Sequence, residues 1–383
     1  MDTQKLSYSF ELGPIRPPSE AYSLLIRATR NCPWNRCQFC HLYKGSKFEL
    51  RTVEEILQDI EAAKAISDGV KEIAWRMGYG NETREAAAML HSQPQGGQCL
   101  RNVALWLWAG GQSVFLQDSN TLIMRTPELI RVITFLRKTF PNLNRVTTYS
   151  RSHTSARKSL EELKELKDAG LDRIHTGLET GYDPLLDYME KGSTAEQHIK
   201  GGIKVREAGI SLCEYVMPGL GGKKMSQGHI RETTRVLNEI NPAFIRLRSL
   251  HVSRGMPLWF KLQDGDFELQ TEDKVAEEIG ALIDGLQVTS YLKSDHILNL
   301  LPEVEGKMPQ DKEKCLNTIN EYLNLPDEER LNFRLGRRAG YYEKLADLND
   351  SYKHHKIDEV ITRIRSRGES VASVISQLKD NFI

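Results

Sequence analysis

Cys32-Pro33-Trp34-Asn35-Arg36-Cys37-Gln38-Phe39-Cys40 decides how this chain is read. Three of the six cysteines fall in that stretch with the spacing C-x4-C-x2-C, while Cys99, Cys213 and Cys315 stand alone. Met1–Ser9 has no apolar h-region, so a reducing cytoplasmic setting is expected, and local disulfides have little use there. Crowded thiolates of this kind suit a soft metal or an iron–sulfur cluster. The number three is informative. Structural zinc closes its tetrahedron with four protein ligands, whereas a [4Fe–4S] cluster held by three cysteines keeps one iron open to a ligand that is not protein. The competing reading is a zinc knuckle completed by His41 or a distant residue.

Upstream of the loop, Tyr22-Ser-Leu-Leu-Ile-Arg27 is an apolar run bounded by turn signals, as a buried parallel strand would be. The cysteines would then lie just past the C-terminal end of a first strand, the end where barrel enzymes carry their chemistry. Residues 1–20, with Pro14, Pro17 and Pro18, are expected to run irregularly across the barrel. Downstream, Thr52-Val-Glu-Glu55 is a capping box, and Val53, Ile56, Leu57 and Ile60 form a core-facing helical stripe. Residues from about 68 to 112 are broken by Gly78-Tyr-Gly80, Gln93-Pro-Gln-Gly-Gly97 and Gly110-Gly111. They read as an insertion with two short helices bearing Trp106 and Trp108, either covering the site or forming a surface excursion with its own small core.

Strands then alternate with helices. Val114–Gln117, Arg145–Tyr149, Leu171–Leu178, Ile210–Val216 and Phe244–Val252 read as strands two to six. Ser159-Leu-Glu-Glu162 and Thr194-Ala-Glu-Gln197 start helices, and Gly170 and Gly209 end them. From about 268 the pattern is purely helical, with helices expected over 273–286, 312–323, 341–348 and 357–380. The alternation predicts an α/β fold with a parallel sheet and right-handed crossovers. The domain plan is an N-terminal segment 1–20, a barrel over 21–265 with the insertion, and a helical region over 266–383.

Among 383 residues, 52 basic and 52 acidic side chains cancel, which removes any global electrostatic case for nucleic acid or an anionic membrane. No apolar run approaches the roughly 20 residues that span a bilayer.

The cysteine loop resembles that of the radical SAM superfamily, where the usual spacing is C-x3-C-x2-C; this chain has one extra residue, and Phe39 sits where members often carry an aromatic. The resemblance extends through Gly170-Leu-Asp-Arg-Ile-His-Thr-Gly-Leu-Glu-Thr-Gly181, Met189-Glu-Lys-Gly192 and Ala208-Gly-Ile to Met217-Pro-Gly-Leu-Gly-Gly222. That block looks like the one shared by oxygen-independent coproporphyrinogen oxidase, the elongator catalytic subunit and the methylthiotransferases, and it covers roughly residues 20–260. The resemblance implies a partial (β/α)6 TIM-like barrel with a C-terminal helical extension. It also implies a [4Fe–4S] cluster on Cys32, Cys37 and Cys40, and S-adenosylmethionine as second cofactor.

S-adenosylmethionine presents an ammonium, a carboxylate, a ribose diol and an adenine. Asp118-Ser-Asn120 stands where relatives have Gly-Gly-Glu, so Asp118 and Asn120 are the implied acceptors for the ammonium. Glu179 matches a ribose contact, Lys191 a partner for the methionyl carboxylate, and Met217 and Gly219 the adenine edge. Arg246 and Arg248, two apart on the sixth strand, are candidates for the carboxylate or an anionic substrate. Each has a plainer alternative: a turn acid for Asp118, a lysine partner for Glu179, a solvated charge for Lys191 and a barrel salt bridge for the arginines. Tyr149, Arg151, His153, His175, Tyr215 and His251 are substrate-pocket candidates, with a satisfied structural role the simpler reading of each histidine. Cys213 is a candidate radical quencher or a buried structural thiol.

The implied chemistry is reductive cleavage of S-adenosylmethionine to a 5′-deoxyadenosyl radical that abstracts hydrogen from a small-molecule substrate. Placement and exclusion of water matter more there than an acid–base dyad. An electron donor such as flavodoxin or ferredoxin is implied, as is a reducing compartment or an anaerobic host. The isolated cysteines disfavour a methylthiotransferase, the helical tail an acetyltransferase domain, and the short N-terminal segment a cobalamin domain. Two other readings stay open. One is tRNA modification, with His296 and Arg334–Arg338 of the tail touching RNA phosphate; a solvated helix end is the simpler reading of that cluster. The other is a non-catalytic zinc- or RNA-binding protein on a barrel scaffold.

Overall fold

The computed structural model describes residues 4–93 and 96–380. Pro94 and Gln95 of the expected break, together with residues 1–3 and 381–383, lie outside the described residues. The chain forms two compact units: Met1–Asn35, Tyr43–Gly177 and Lys200–Leu212 make the first, and Arg36–Leu42, Leu178–Ile199 and Cys213–Ile383 the second.

In the first unit, β1 (Leu24–Arg27), β2 (Ser113–Gln117), β3 (Arg145–Ser150) and β4 (Arg173–Glu179, whose last two residues fall in the second unit) are parallel. Leu24 sits beside Val114, Ser113 beside Arg145, and Thr147 beside Arg173. Leu24, Ile26, Val114, Phe115 and Leu116 are fully buried, as strands covered on both faces require. The helices are α1 (Val53–Arg76), α2 (Arg84–His91), α3 (Gln98–Trp108), α4 (Thr126–Thr139), α5 (Ser152–Arg157) and α6 (Leu160–Ala169). Both arms of the Thr52–Glu55 and Ser159–Glu162 capping boxes form, and Gly170 ends α6 at φ 109°.

Helix α1 runs on through Arg76, beyond the point where breakers obscured the pattern. The region after it does not stand off as a surface excursion. Asn102 of α3 accepts from the Leu25 N–H at 3.1 Å and donates to the Ser23 carbonyl at 3.2 Å. The amide thus covers the open edge of β1, the first strand of the sheet, and protects it from pairing with another chain. Trp106 is buried edge-on against Phe140, with ring centroids 5.1 Å apart, while Trp108 meets Tyr22 at 5.9 Å. The N-terminal segment is pinned to β2: Gln117 accepts from Gly13 N at 2.9 Å and donates to the carbonyls of Gly13 (3.1 Å) and Ile15 (2.6 Å). Buried Glu20 bonds Ser23 and Arg145 and lies 3.6 Å from His175.

The second unit contains α7 (Asp183–Tyr188), the start of α8 (Ala195–Glu207), most of β5 (Ser211–Val216), α9 (Gly222–Ile240), β6 (Phe244–Leu247), α10 (Pro257–Gln263) and α11 (Glu272–Gly285). These are followed by β7 (Tyr291–Lys293), β8 (Gly306–Lys307), α12 (Lys312–Leu323), α13 (Asp327–Arg338), α14 (Ser351–Ser366) and α15 (Val371–Asp380). Strands β5, β6 and β7 are parallel, and β8 returns antiparallel to β7.

Three sequence expectations are corrected here. The sixth strand stops at Leu247 instead of Val252, because the Asn299 side chain takes the next ladder positions: it donates to the Leu247 carbonyl (2.8 Å) and accepts from Ser249 N (3.0 Å). The region after 268 is not purely helical, since β7 and β8 extend the sheet with strands too short to show a period. The helix expected at 341–348 is a 3₁₀ turn, Leu345–Asn349, and the real helix is α13. Its signal lay in charge: Asp327, Glu328 and Glu329 in the first turn and Arg337 and Arg338 in the last match the helix dipole. Both units have parallel strands joined through helices, and the chain closes on helices, giving the expected α/β class with a C-terminal helical extension. Among the described residues no helix is long and apolar enough to cross a membrane.

Candidate functional site

The cysteine loop grows out of a small antiparallel hairpin, in which Thr29 pairs with Leu50 and Arg30 with Glu49. Residues up to Asn35 and from Tyr43 belong to the first unit, while Arg36–Leu42 belong to the second. Asn31 and Asn35 adopt positive φ (65° and 50°) and turn the chain on either side of Cys32, whose sulfur accepts from the Asn35 N–H at 3.4 Å. Cys37 and Cys40 share a turn, with Cys40 N donating to the Cys37 carbonyl at 3.3 Å. All three cysteines are half-buried, and none of the six forms a disulfide. Among the described residues no three His, Cys, Asp or Glu side chains gather into a coordination set.

Asp118 organises the entry to the loop. It is fully buried just past β2, and its Oδ2 accepts from Arg27 Nε (3.1 Å), Arg27 Nη2 (2.7 Å) and Asn31 N (3.2 Å). The Tyr43 hydroxyl donates to Oδ1. Burial, and then the Asp118 charge, push the Tyr43 phenol up, so it remains a proton donor. Arg27 also reaches Glu11 (2.9 Å), which in turn is gripped by Arg30. Asn120 donates to Thr154 Oγ1 (2.9 Å) and accepts from Arg151 N (3.0 Å). Asp118 is thus taken up inside the first unit, on holding the segment that leads into Cys32, whereas Asn120 keeps one amide hydrogen and one lone pair beyond its bonds at the end of β3. Arg151 lies over the Trp34 ring at 4.9 Å, a second tie between β3 and the loop.

The other first-unit candidates are scattered. Tyr149 and buried His175 form an edge-to-face cluster with Phe115, with Tyr149 centroids 5.1 Å from Phe115 and 5.8 Å from His175. His175 sits beside Glu20, which marks it as structural. His153 is half-buried, and its pKa is lowered by burial and by Arg151 and Arg157.

In the second unit the candidates converge. Glu179 ends β4 at φ 62°, a left-handed conformation that costs a non-glycine residue of order 1–3 kcal/mol and concentrates at working sites. Its carboxylate accepts from Lys191 Nζ at 3.2 Å, and the same ammonium lies 5.6 Å from the Phe39 ring centroid. Phe39 is placed by its loop: Gln38 N donates to the Met189 carbonyl, Leu258 N to the Gln38 carbonyl, each at 2.9 Å. It packs against an apolar cluster that includes Met189, Met217, Leu220, Leu250 and Leu258. Met217 N donates to the Glu179 carbonyl at 3.0 Å, tying the Met217–Gly219 turn to the strained residue.

Two acids here escaped the sequence reading. Glu214 on β5 is buried; burial, then the Glu179 charge, raise its pKa well above the ordinary range, with Lys191 opposing, and its Oε2 has no hydrogen-bond partner among the described residues. Its signal was present, since a carboxyl interrupts the apolar run Leu212–Val216. Glu278 of α11 accepts from Gly219 N (2.8 Å) and Ser226 (2.8 Å) and lies 3.3 Å from His229, which bonds Thr180 at 2.8 Å. This buried chain fixes the turn and the residue after Glu179 together. Gly219, at φ 84°, also needs its missing side chain, because a Cβ would approach Val275 to 3.2 Å.

Arg246 and Arg248 do not share a strand face. Arg246 is buried beside Tyr215 in the β5–β6 register and pairs with Asp295. Arg248 lies past the end of the strand and is exposed. Cys213 is buried on β5. His251 lines a cavity that Gly219 and Leu250 also border.

Two curated relatives are named tRNA uridine(34) acetyltransferase. That of Methanocaldococcus jannaschii is 24% identical over 125 residues, covering 31% of this chain and 22% of the relative. That of Methanocaldococcus infernus is 24% identical over 127 residues, covering 32% and 23%. The chain thus spans under a quarter of either protein. Among solved structures, the Methanocaldococcus infernus Elp3 with an N-terminal deletion shares 15% identity, with coverage of 55% of this chain and 54% of that one and a TM-score of 0.41. Coproporphyrinogen III oxidase (HemN) from Escherichia coli shares 15%, with coverage of 73% and 54% and a TM-score of 0.42. Residues 101–233, which carry β2 to α9 and with them Glu179, Lys191, Glu214 and Met217, match the family model described as the Radical SAM superfamily. That match lies downstream of the three-cysteine loop and covers about a third of the chain, so over residues 101–233 the chain is similar to the radical SAM superfamily.

Proposed function

We propose that the protein is a radical SAM enzyme that binds a [4Fe–4S] cluster through Cys32, Cys37 and Cys40 and acts on a small-molecule substrate. The observation that carries this reading is the family match over residues 101–233, downstream of three clustered thiols. Three half-buried sulfurs on one turned loop are the donor type a cluster takes; among the described residues they are not gathered into a coordination set, so loading would draw the loop together. When bound, the cluster supplies one-electron reduction of S-adenosylmethionine, giving the 5′-deoxyadenosyl radical that takes a hydrogen atom from substrate.

The protein's part is positioning. Glu179 and Glu214 offer a carboxylate and a neutral carboxyl whose Oε2 awaits a partner, a pair able to receive both hydroxyls of a ribose diol. Lys191, already held by Glu179, supplies a cation for the methionyl carboxylate. Phe39, Met217 and Gly219 supply an apolar edge for adenine. Asp118 and Asn120 act at one remove, by holding the segments around Cys32 and Arg151. Arg246 is a candidate for the barrel interior, and exposed Arg248 for an anionic substrate.

The experiment is anaerobic purification and reconstitution with iron and sulfide. Reduction and EPR with and without S-adenosylmethionine follow, together with an assay for 5′-deoxyadenosine. A [4Fe–4S] signal that shifts with the cofactor, with nucleoside released and both lost in Cys37→Ala, supports the reading. A colourless protein with one zinc and no nucleoside overturns it. Action on tRNA is the second reading, favoured by the names of both curated relatives. It predicts that transfer RNA, and not a small-molecule extract, raises the yield of nucleoside.

A further inference from the structure

The second unit holds a cavity of about 770 Å³, within the range of small-molecule sites. It is walled by the loop after β6, by α11 and by the C-terminal helix α15. Apolar side chains, Leu250, Ala276, Leu298, Leu301, Val304 and Ile319 among them, line about half of it, and serines, glutamines and charged groups the rest. Its charged residues are Arg254, Glu272, Arg338, Lys379 and Asp380, with His251 beside them. Two of these sit at the rim: Arg254 is exposed, and the Asp380 side chain is 59% exposed. They offset one another.

The inner wall is left with buried Arg338 and with Glu272 and Lys379, whose side chains are 16% and 19% exposed. Arg338 takes up Glu272: its Nε is 3.1 Å from Glu272 Oε1, its Nη2 bonds the same oxygen, and its remaining donors go to the carbonyls of Ile297 (3.2 Å) and Leu298 (3.0 Å). Lys379 has no such satisfaction. Its ammonium is 3.7 Å from Glu272, too long for a hydrogen bond, and it makes none among the described residues. Burial lowers its pKa, Glu272 opposes, and Arg338 lowers it further. His251 does not compensate, because burial and Lys379 lower its pKa and keep it neutral near pH 7. Its Nε2 is 2.9 Å from Asp380 but not aligned for a hydrogen bond. One carboxylate therefore serves two cations on the inner wall, and Lys379, ion-paired to it at 3.7 Å, keeps its ammonium donors available to the cavity.

A half-buried cation that shares its carboxylate with a second cation gains from a further acceptor, and a charge-assisted bond to a carboxylate is among the stronger polar contacts. We infer that this cavity binds a small monocarboxylate with an apolar body, its head on Lys379 and its chain or ring along the α11 wall. The cavity shares Gly219 with the proposed adenine edge but is not lined by Glu179, Lys191 or Glu214, and the inference stands whether or not the proposed radical chemistry holds.

The test is calorimetric titration of the full, cluster-reconstituted protein with decanoate, decan-1-ol and decylamine. Decanoate is expected to bind once per chain, at least about tenfold tighter than the alcohol or the amine. Lys379→Met should abolish that preference, and Lys379→Arg should keep it. Should Lys379→Met fail to fold, Ile279→Trp, which fills the cavity, should remove decanoate binding, and the three-ligand comparison on the unaltered chain already decides the charge argument. Equal binding of alcohol or amine, undiminished decanoate binding by Lys379→Met, or no saturable decanoate binding would each overturn the inference.

Discussion

Replacing Asp118 with alanine tests whether a buried carboxylate, and not the cysteines themselves, builds the entrance to the cysteine loop. Asp118 is fully buried and Arg27 nearly so, with side-chain exposures of 0% and 13%. Removing one partner of such a pair costs about 3–5 kcal/mol, mostly because the other charge is left without compensation. Arg27 keeps Glu11 at 2.9 Å, and water can enter the space the carboxylate leaves, so the low end applies. About 3 kcal/mol, a roughly hundredfold change in the folded-to-unfolded ratio, is the expected loss. The assay is urea unfolding of the cluster-free chain followed by far-UV circular dichroism, read as a midpoint shift at unchanged slope. Arg27→Met should be combined with it in a double-mutant cycle. With the cation also gone, the second substitution should cost at least about 1 kcal/mol less than it does alone. After reconstitution, Asp118→Ala should also retain less iron, because Asn31 N loses its acceptor next to Cys32. A loss below about 1 kcal/mol, or strict additivity with Arg27→Met, would show that Asp118 does not organise the loop.

Glu214 stays protonated in the folded chain, so its contribution to stability is complete below pH 4.5, where both states hold the proton, and declines as pH rises toward the elevated folded pKa. Glu214→Gln should remove that decline, and its urea midpoint should overtake the wild type progressively as pH rises above 4.5. His296 behaves oppositely. Burial, then Arg248, lower its pKa from 6.5 to about 4, with Asp295 opposing, so its contribution is complete above pH 6.5 and is lost as pH falls toward 4. His296→Gln should flatten the stability profile in that window. Trp106 is buried with its indole N–H unpartnered among the described residues, so Trp106→Phe should cost less than about 1.5 kcal/mol while Trp106→Ala costs about 3–5, as urea midpoints will show.

What the sequence displayed was local. The capping boxes at Thr52 and Ser159, the left-handed stop at Gly170 and the apolar runs of β1 to β5 each carry their signal within a few residues, and each forms as expected. The contacts that fix the candidate site are long-range. Asp118 meets Arg27 91 positions away and Tyr43 75 positions away, and Gly219 meets Glu278 59 positions away. No periodicity encodes such pairs, which is why Asp118 read as an open acceptor. The same holds for the end of β6, which is set by Asn299, 52 positions beyond the Leu247 carbonyl.

Glu214 differs from these cases, because it broke a local rule in plain view. A carboxyl at a fully buried strand position is an inconsistency that a folding sequence tolerates only where something offsets it. Lys191 lies close enough to oppose the shift, yet it is committed to Glu179 at 3.2 Å. Glu214 therefore remains protonated, with one oxygen unbonded, beside a residue held in a left-handed backbone conformation. Two unfavourable local states side by side are hard to account for by packing alone. They are accounted for if a polar ligand completes the set, and this gives the Glu214→Gln variant a second use. If the orphaned oxygen exists to receive a hydroxyl, the amide should raise stability in the absence of ligand and weaken cofactor binding. A packing role alone would give the first effect without the second.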